Sequence, residues 1–305
     1  MKEKSEVKLA AILALIVIGA GATGSVAQGT GQPERPAVTV RGQTYTPRAI
    51  LARNMGTAED QTTAFPPHKI IGNIYYVGTR TLSSFLIVTP QGNILVNSTY
   101  ERNVPTIAKS VEQLGFRFSD VKILLGTHAH RDHQEGDALV KELTGAQVMM
   151  MAEDVPALQA MQPDGKEHPI DKVLHDGEEV TLGGTTLVAH LTAGHTRGCT
   201  TWATKIEEGG RTYDVVIHCS LRSPNAPTAA VIEEFNRTFP LVRSLPCDVQ
   251  LGDHPSQFNL QAKYAKLRPG GTNPYIEPES CLFEADIQEA MYQATLEEQK
   301  KAAQP

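Results

Sequence analysis

The segment VKILLGTHAHRDH, residues 121–133, places a metal-ligand motif directly after a continuous apolar run. The run, residues 121–125, predicts a buried strand, and functional side chains commonly lie in the loop at a strand end. That loop holds His128, His130, Asp132 and His133, and imidazole with carboxylate is the ligand set of zinc and similar metals. The alternative is a chance cluster of surface histidines. Four ligands within six residues favour a metal site.

Two further histidines follow predicted strands in the second half of the chain. His195 lies in TAGHT, residues 192–196, after a strand predicted over 185–192. His254 lies in GDHP, residues 252–255, after a strand predicted over 248–251. With the first motif these histidines make six ligands, whereas one structural zinc is closed by four. Six ligands therefore predict two metals, each with an open position for water.

The residues around these motifs predict an α/β fold in which strands and helices recur in the same order in both halves. Apolar runs predict strands at 70–77, 84–89, 93–98, 121–125, 147–151, 179–182, 185–192, 200–206, 213–218 and 248–251. Helices are predicted at 103–114, 135–143, 229–245 and 287–301. This order suggests two β-sheets packed together with helices outside. Because both halves supply ligands to one pair of metals, residues 68–305 are predicted to form a single domain.

The first residues predict a secretory signal peptide. Lysines at positions 2, 4 and 8 precede an apolar run over 9–18, and the small residues of 25–27 follow. A membrane anchor is the alternative, but the apolar run is shorter than the ~20 residues that span a bilayer. We therefore expect cleavage after Ala27 and a periplasmic or secreted protein without a stable membrane anchor. Residues 28–67 predict an extended arm with a short helix at 46–55.

The composition is that of a packed globular protein with a small negative charge. The chain has 305 residues, of which 40% are hydrophobic and 20% charged, and its formal net charge is −6. The apolar fraction excludes a disordered chain, and 25 Gly with 19 Pro in no fixed period excludes collagen. Nucleic acid is not an expected partner. Proteins that bind it carry clustered Lys and Arg, whereas this chain has a net negative charge. We expect the chain to be a monomer.

The predicted export affects how the four cysteines are interpreted. An even number of cysteines in an oxidising compartment suggests disulfides. Cys247 and Cys281 would close a loop of moderate length, and Cys199 and Cys219 lie on neighbouring apolar segments. The residues alone leave two alternatives for Cys199 and Cys219, a second disulfide or two buried free thiols.

The motifs together resemble the metallo-β-lactamase superfamily. The resemblance rests on HAHRDH at 128–133, AGHTRG at 193–198 and GDHP at 252–255, with GNIYYVG at 72–78 and SSFLI at 83–87. It covers nearly all of the predicted mature chain. It implies the αβ/βα four-layer sandwich of that superfamily, with two mixed β-sheets packed together and helices outside.

Within the superfamily the sequence is most similar to the third subclass of the zinc β-lactamases. Related thioesterases and lactonases share an aspartate between their metals, whereas the matching stretch here, HCSLR at 218–222, has no carboxylate. The first two subclasses carry a cysteine ligand in this region. Ser220 takes its place if the Ser-Leu pair sets the register, and Cys219 in that place would weaken the assignment. Cys247 and Cys281 fall where the third subclass has its disulfide.

The resemblance implies a ligand set and an activity. It assigns His128, His130 and His195 to a first zinc, and Asp132, His133 and His254 to a second. A hydroxide held by the two zinc ions would hydrolyse the amide bond of penicillins, cephalosporins or carbapenems, and thereby confer antibiotic resistance. Asp132 would orient the hydroxide and help relay a proton.

The resemblance also points to residues that bind substrate. Ser220, Arg222 and Ser223 lie where the family binds the substrate carboxylate, although Arg222 replaces the usual hydroxyl. The segment 153–168 resembles the family's mobile loop over the substrate.

Two other functions are compatible with these motifs. One is another hydrolase on the same metal site, such as a lactonase, thioesterase or phosphodiesterase. The other is a secreted zinc-binding protein without catalytic activity. Among the remaining histidines, we expect His190 and His218 in the core and His68, His168 and His175 on the surface.

Overall fold

The structure is a computed structural model, and it describes residues 36–303. The predicted signal peptide, residues 1–27, lies outside the described residues, as does the start of the predicted arm. The described part of the chain belongs to one compact unit. None of its helices is long and apolar enough to span a membrane.

A seven-stranded mixed sheet is built by the first half of the chain. Its strands pair in sequence order, antiparallel up to the fourth strand and parallel from there on. The strands are β3 (His68–Ile71), β4 (Ile74–Tyr76), β5 (Phe85–Thr89), β6 (Gly92–Val96), β7 (Val121–Leu125), β8 (Gln147–Met151) and β9 (Lys172–Leu174). A separate hairpin precedes this sheet, formed by β1 (Val38–Val40) and β2 (Gln43–Tyr45).

The second half builds a five-stranded sheet, antiparallel except for its last pair. Its strands are β10 (Glu179–Leu182), β11 (Thr185–Leu191), β12 (Thr200–Glu208), β13 (Arg211–His218) and β14 (Val249–Gly252). The parallel pair β13 and β14 places the carboxyl end of β14, which leads to His254, beside that of β13, which leads to the segment 218–222.

Helices connect and cover the strands. They are α1 (Pro47–Met55), α2 (Val104–Gln113), α3 (Arg131–Gln134), α4 (Asp137–Thr144), α5 (Val155–Ala160), α6 (Ala229–Ser244), α7 (Leu260–Lys266) and α8 (Phe283–Ala302). Short 3₁₀ turns lie at Glu101–Asn103, Phe118–Asp120, Ala152–Asp154, Pro163–Gly165, Pro255–Phe258 and Pro278–Ser280.

The two sheets pack face to face, and strand periodicity decides which side chains meet. In β7, Ile123 and Leu125 point into the core between the sheets, where they join Trp202 of β12 and Leu251 of β14. Leu124 points the other way and packs under α2, α4 and α5. Both faces of this strand are therefore buried, which explains its continuous apolar run. Helices α6 and α8 pack together around a separate apolar cluster.

Three predicted elements differ from the structure. The helix predicted over 287–301 begins earlier, at Phe283. The strand predicted over 70–77 is a hairpin of β3 and β4, because Gly72 turns the chain with a positive φ of 50°. The helix predicted over 135–143 begins later, at Asp137, and is preceded by the separate turn α3. The short helix of the arm is present as α1, with the Thr46 hydroxyl accepting from the Ala49 N–H.

Candidate metal centre

The first group of ligands lies where the loops after β7 and β11 meet. His128 Nε2 and His130 Nδ1 are 3.0 Å apart, and the ring of His195 lies 4.7 Å from that of His128 and 4.8 Å from that of His130. One nitrogen of each ring lies within 4.8 Å of the other two. His128 is buried, while His130 is exposed. The group is thus open on one side to solvent and to a substrate.

The second group lies beside the first and contains the carboxylate. Asp132 Oδ2 lies 3.3 Å from His133 Nε2 and 3.9 Å from His254 Nε2. The His133 ring is 4.3 Å from that of His128, which belongs to the first group. All six residues predicted as ligands are therefore brought together, in the two sets of three that the resemblance implies.

Oxygen acceptors behind the rings fix which nitrogen faces the site. The Nδ1–H of His195 donates to the carbonyl of Arg222 at 2.8 Å, and that of His254 donates to the carbonyl of Thr81 at 2.9 Å. His128 Nδ1 lies 3.3 Å from Asp253 Oδ2. In His195 and His254 the carbonyl acceptors leave Nε2 as the unprotonated nitrogen, the form that binds a metal.

The groups fit zinc by donor type and spacing. Ligand atoms about 2.1 Å from a tetrahedral zinc lie roughly 3.4 Å from one another. In the first group one pair of nitrogens is 3.0 Å apart, and all three lie within 4.8 Å of one another. A third cluster, His128 with Cys199 and Cys219, is equally compact. Its cysteines are joined as a disulfide, so they provide no thiolate.

Hydrogen bonds between the two halves hold the ligand loops together. Asn97 adopts a positive φ after β6, and its Oδ1 accepts from the Thr127 N–H at 2.9 Å. The Thr127 carbonyl then accepts from the Thr200 N–H of β12 at 2.7 Å. Trp202 Nε1 donates to the Gly126 carbonyl at 3.0 Å. The first ligand loop is therefore anchored on the second sheet immediately before His128.

Asp154 joins the two loops of the first group. Its buried carboxylate accepts from the Ala129 N–H at 2.8 Å, the Thr196 hydroxyl at 2.8 Å and the Gly198 N–H at 2.7 Å. These donors flank His128, His130 and His195. A side chain at Gly198 would collide with the backbone and side chain of Asp154, which explains the glycine there.

The two groups differ in charge. Burial lowers the pKa of His195 to about 4 and that of His128 well below its usual value. Burial would raise the pKa of Asp132, but the neighbouring His133 outweighs it and holds that pKa below its usual range. Burial also opposes protonation of His133, yet Asp132 raises its pKa. The first group is thus a set of neutral imidazoles, whereas the second contains an ionised carboxylate beside a histidine whose pKa is raised.

The residues predicted to bind substrate lie in the loop after β13. The Ser220 hydroxyl is buried and donates to Asp253 Oδ1 at 2.9 Å. Ser223 is also buried, with its hydroxyl 3.3 Å from the Pro224 carbonyl. Arg222 is half-buried, and its Nε has no hydrogen-bond partner among residues 36–303. Contact of these three residues with substrate stays a prediction.

Three histidines lie elsewhere than predicted. His190, which was expected in the core, is half-buried. His168 is buried rather than on the surface, with Nε2 3.1 Å from Asp137 Oδ2. His68 is half-buried and packs against Tyr264 and Tyr275. For His168 and His68 the partner is distant in sequence, so the local Pro-rich segments that suggested a surface loop did not reveal it. His218 is buried, as predicted.

The sequence also gave no role to Asp154 or Asp253. Asp253 precedes the predicted ligand His254 in the GDHP motif, so its position could have indicated a role at the site. Asp154 follows the predicted strand 147–151, and no local pattern connects it with the histidine loops. Four cysteines form two disulfides, Cys247 with Cys281 and Cys199 with Cys219.

Comparison with known proteins points to one family. A family model described as the metallo-beta-lactamase superfamily matches residues 77–207. The FEZ-1 metallo-beta-lactamase from Legionella gormanii is 41% identical, with a TM-score of 0.73 over 80% of this chain and 99% of that one. BJP-1, a subclass B3 metallo-beta-lactamase of Bradyrhizobium japonicum, is 33% identical, with a TM-score of 0.74 over 81% and 99%. LRA-12, a class B3 di-zinc metallo-beta-lactamase from an Alaskan soil metagenome, is 28% identical, with a TM-score of 0.68 over 80% and 97%.

The chain therefore belongs to the metallo-β-lactamase superfamily and has its fold of mixed sheets and helices. Within that superfamily it is similar to subclass B3, which confirms the predicted resemblance to the third subclass. The family and the site together indicate a metal-dependent hydrolase.

Proposed function

We propose that this protein is a zinc-dependent β-lactamase that hydrolyses penicillins, cephalosporins or carbapenems and so confers resistance to them. The observation that carries the proposal is the pair of adjacent ligand groups, one of three imidazoles and one of two imidazoles with Asp132, open to solvent at His130. Solved structures of similar sequence with the same fold are metallo-β-lactamases.

His128, His130 and His195 would hold one zinc, and Asp132, His133 and His254 the other. Bound zinc lowers the pKa of a coordinated water to about 7 and polarises a carbonyl, which supplies a nucleophile at neutral pH. Asp132 contributes a carboxylate that stays ionised, so it can accept a hydrogen bond at Oδ1 or Oδ2 and thereby orient the donor.

A cavity next to His130 provides room for the body of the substrate. It has a volume of about 410 Å³ and is lined on one side by Ala157, Ala160 and Met161, from α5 and the residue after it. These apolar side chains suit the variable group of a β-lactam. They belong to the segment 153–168, which supports its predicted place over the substrate.

Arg222 is the group we propose for the substrate carboxylate. Its carbonyl is bonded to His195, so the residue is fixed beside the first ligand group. Its guanidinium carries an unpartnered Nε in the described part of the chain. An arginine fork binds a carboxylate with two parallel hydrogen bonds.

Export of the protein remains a proposal that rests on the N-terminal segment. Two disulfides are consistent with an oxidising compartment. Sequencing of the mature chain recovered from the periplasm or medium checks it, and Gln28 is the expected first residue. A chain that retains Met1 to Ala27 would refute cleavage.

Hydrolysis of a chromogenic cephalosporin, a penicillin and a carbapenem by the zinc-loaded protein tests the activity. We expect turnover that a chelator abolishes and added zinc restores. Arg222→Ala should raise KM by about tenfold or more, since hydrogen bonds to charged groups contribute about 1.5–3 kcal/mol, and Arg222→Lys should recover part of the loss. Turnover of a thioester or lactone without any β-lactam hydrolysis would instead identify another hydrolase of the family.

A further inference from the structure

Asp253 is a fully buried carboxylate behind the two ligand groups, directly after β14. Its Oδ1 accepts from the Ser220 hydroxyl at 2.9 Å and from Gln257 Nε2 at 2.8 Å. Its Oδ2 accepts from the Ser220 N–H at 2.7 Å and faces His128 Nδ1 at 3.3 Å. Four donors thus converge on one side chain.

Asp253 is close enough to the histidines to be considered a ligand itself. An oxygen of its carboxylate lies within 4.8 Å of ring nitrogens of both His128 and His133. However, both of its oxygens are already occupied by donors. It also meets His128 at Nδ1, whereas Nε2 is the nitrogen that faces His130 in the first group. Its place is therefore behind the ligands.

The backbone of Asp253 is held as firmly as its side chain. Its N–H donates to the His218 carbonyl at 3.2 Å, and its carbonyl accepts from the Ser83 N–H at 3.0 Å. The next residue is His254, a ligand of the second group. The side chain of Asp253 thus reaches the first group while its peptide bond leads directly to the second.

We propose that Asp253 is a positioning residue that fixes His128 in the Nδ1–H tautomer and thereby presents Nε2 to the first metal. The proposal rests on the proposed metal site but not on β-lactam hydrolysis. A second-sphere carboxylate of this kind orients a histidine and increases its basicity as a ligand. Thr127 Oγ1 and Cys219 Sγ are the other atoms near His128 Nδ1, at 3.3 and 3.5 Å, and both are neutral.

The number of hydrogen-bond donors around residue 253 explains why it is an aspartate rather than an asparagine. A carboxylate presents acceptor sites on both oxygens, whereas an asparagine amide presents one acceptor oxygen and one NH₂ donor. In Asp253→Asn the NH₂ group would face either the donors from Ser220 and Gln257 or those from Ser220 and His128. Asp253→Asn therefore keeps the side-chain volume but breaks the pattern of hydrogen bonds.

The histidine tautomers of the metal-free protein give a direct test. Long-range ¹H–¹⁵N spectra of the ring nitrogens should show the Nδ1–H form of His128 in the wild type and a mixed or Nε2–H form in Asp253→Asn. Zinc affinity of the first site, measured by competition with a chromogenic chelator, should fall by about 10–100-fold. Asp137→Asn is the matched control, because Asp137 is also buried and bonded to a histidine and a serine but touches no ligand.

An unchanged His128 tautomer and unchanged zinc affinity in folded Asp253→Asn would overturn the proposal. So would an equal loss of affinity in Asp137→Asn. If Asp253→Asn does not fold, Gln257→Leu removes one donor and leaves the carboxylate in place. A smaller loss of affinity supports the proposal, and no loss contradicts it. A protein that shows these effects but hydrolyses no β-lactam would refute the proposed function and keep the role of Asp253.

Discussion

The two ligand groups are neighbours built from the same loops, yet they differ in charge. His128, His130 and His195 form a neutral set, in which burial keeps the imidazoles unprotonated. The other set holds Asp132, and the pKa of His133 is raised beside it. A neutral set offers lone pairs without releasing protons, whereas the carboxylate of the second set attracts a cation, and a proton bound to His133 must leave before that ring can bind a metal.

The two groups are also supported differently. The first is supported by Asp253, Asp154 and the Cys199–Cys219 disulfide, which all lie directly behind its loops. The second rests on the Thr81 carbonyl, behind His254. The second group is also supported by the helical turn that carries His133. In that turn the Gln134 carbonyl lies 3.3 Å from His168 Nε2. We therefore expect that each metal position can be perturbed separately.

Removing one ligand from each group should give the largest effect and test their separation. His195→Ala leaves two imidazoles in the first group, and His254→Ala leaves Asp132 with His133 in the second. We expect each variant to lose one zinc, with a fall in kcat/KM beyond the ~100-fold that loss of a supporting residue causes. His195→Ala should lose its zinc more completely, because no carboxylate remains there. Zinc content by atomic emission and β-lactam hydrolysis measure both, and two zincs retained in either variant would contradict the assignment.

Removal of the two disulfides separates effects on stability from effects on zinc binding. The disulfides close separations of 20 and 34 residues, so removing either pair by alanine should lower the free energy of unfolding by about 3–4 kcal/mol. Only Cys199→Ala with Cys219→Ala should also weaken zinc binding, because Cys219 Sγ lies 3.5 Å from His128 Nδ1. The Cys247 and Cys281 pair serves as the matched control. Urea unfolding and chelator competition separate the two effects, and equal zinc affinities in both variants would refute the link.

The smallest expected effect is a difference in pH dependence of stability. Burial opposes protonation of His168, but its hydrogen bond and ion pair with Asp137 outweigh it and raise its pKa. Its contribution is therefore complete below about pH 6.5, the unfolded value, and is lost as the pH rises through the raised pKa. Burial lowers the pKa of His195 to about 4, so this residue acts in the opposite direction. Its contribution to the free energy of unfolding is lost as the pH falls from about 6.5 through that lowered pKa.

His168→Gln isolates the first of these two contributions. In metal-free protein, the stability lost in this variant should be greatest near pH 5.5 and should shrink towards pH 9. Urea unfolding followed by the fluorescence of the single Trp202 measures it. A loss that is constant across this pH range would show that the His168–Asp137 contact does not depend on protonation of His168.

The sequence predicted the ligands better than the elements that carry them. His128, His130, Asp132 and His133 lie in one loop, so their spacing alone shows that they can share a site. The hairpin of β3 and β4 was missed, although Gly72 and Asn73 form a readable turn signal. His168 was placed on the surface because its partner Asp137 is 31 residues away and no local pattern pairs them.

The family, the order of most strands and helices, and the six residues that gather at the site can all be predicted from sequence patterns. These features depend on local spacing and on the apolar periodicity of each segment. Only the tertiary structure decided which nitrogen of each ring faces the site and which carboxylate stands behind it. The acceptors that set those orientations, Thr81 and Arg222 by their carbonyls and Asp253 by its carboxylate, meet the rings only when the two sheets pack. A hydrogen bond depends on distance and angle in the folded chain, and neither is written in the spacing of residues.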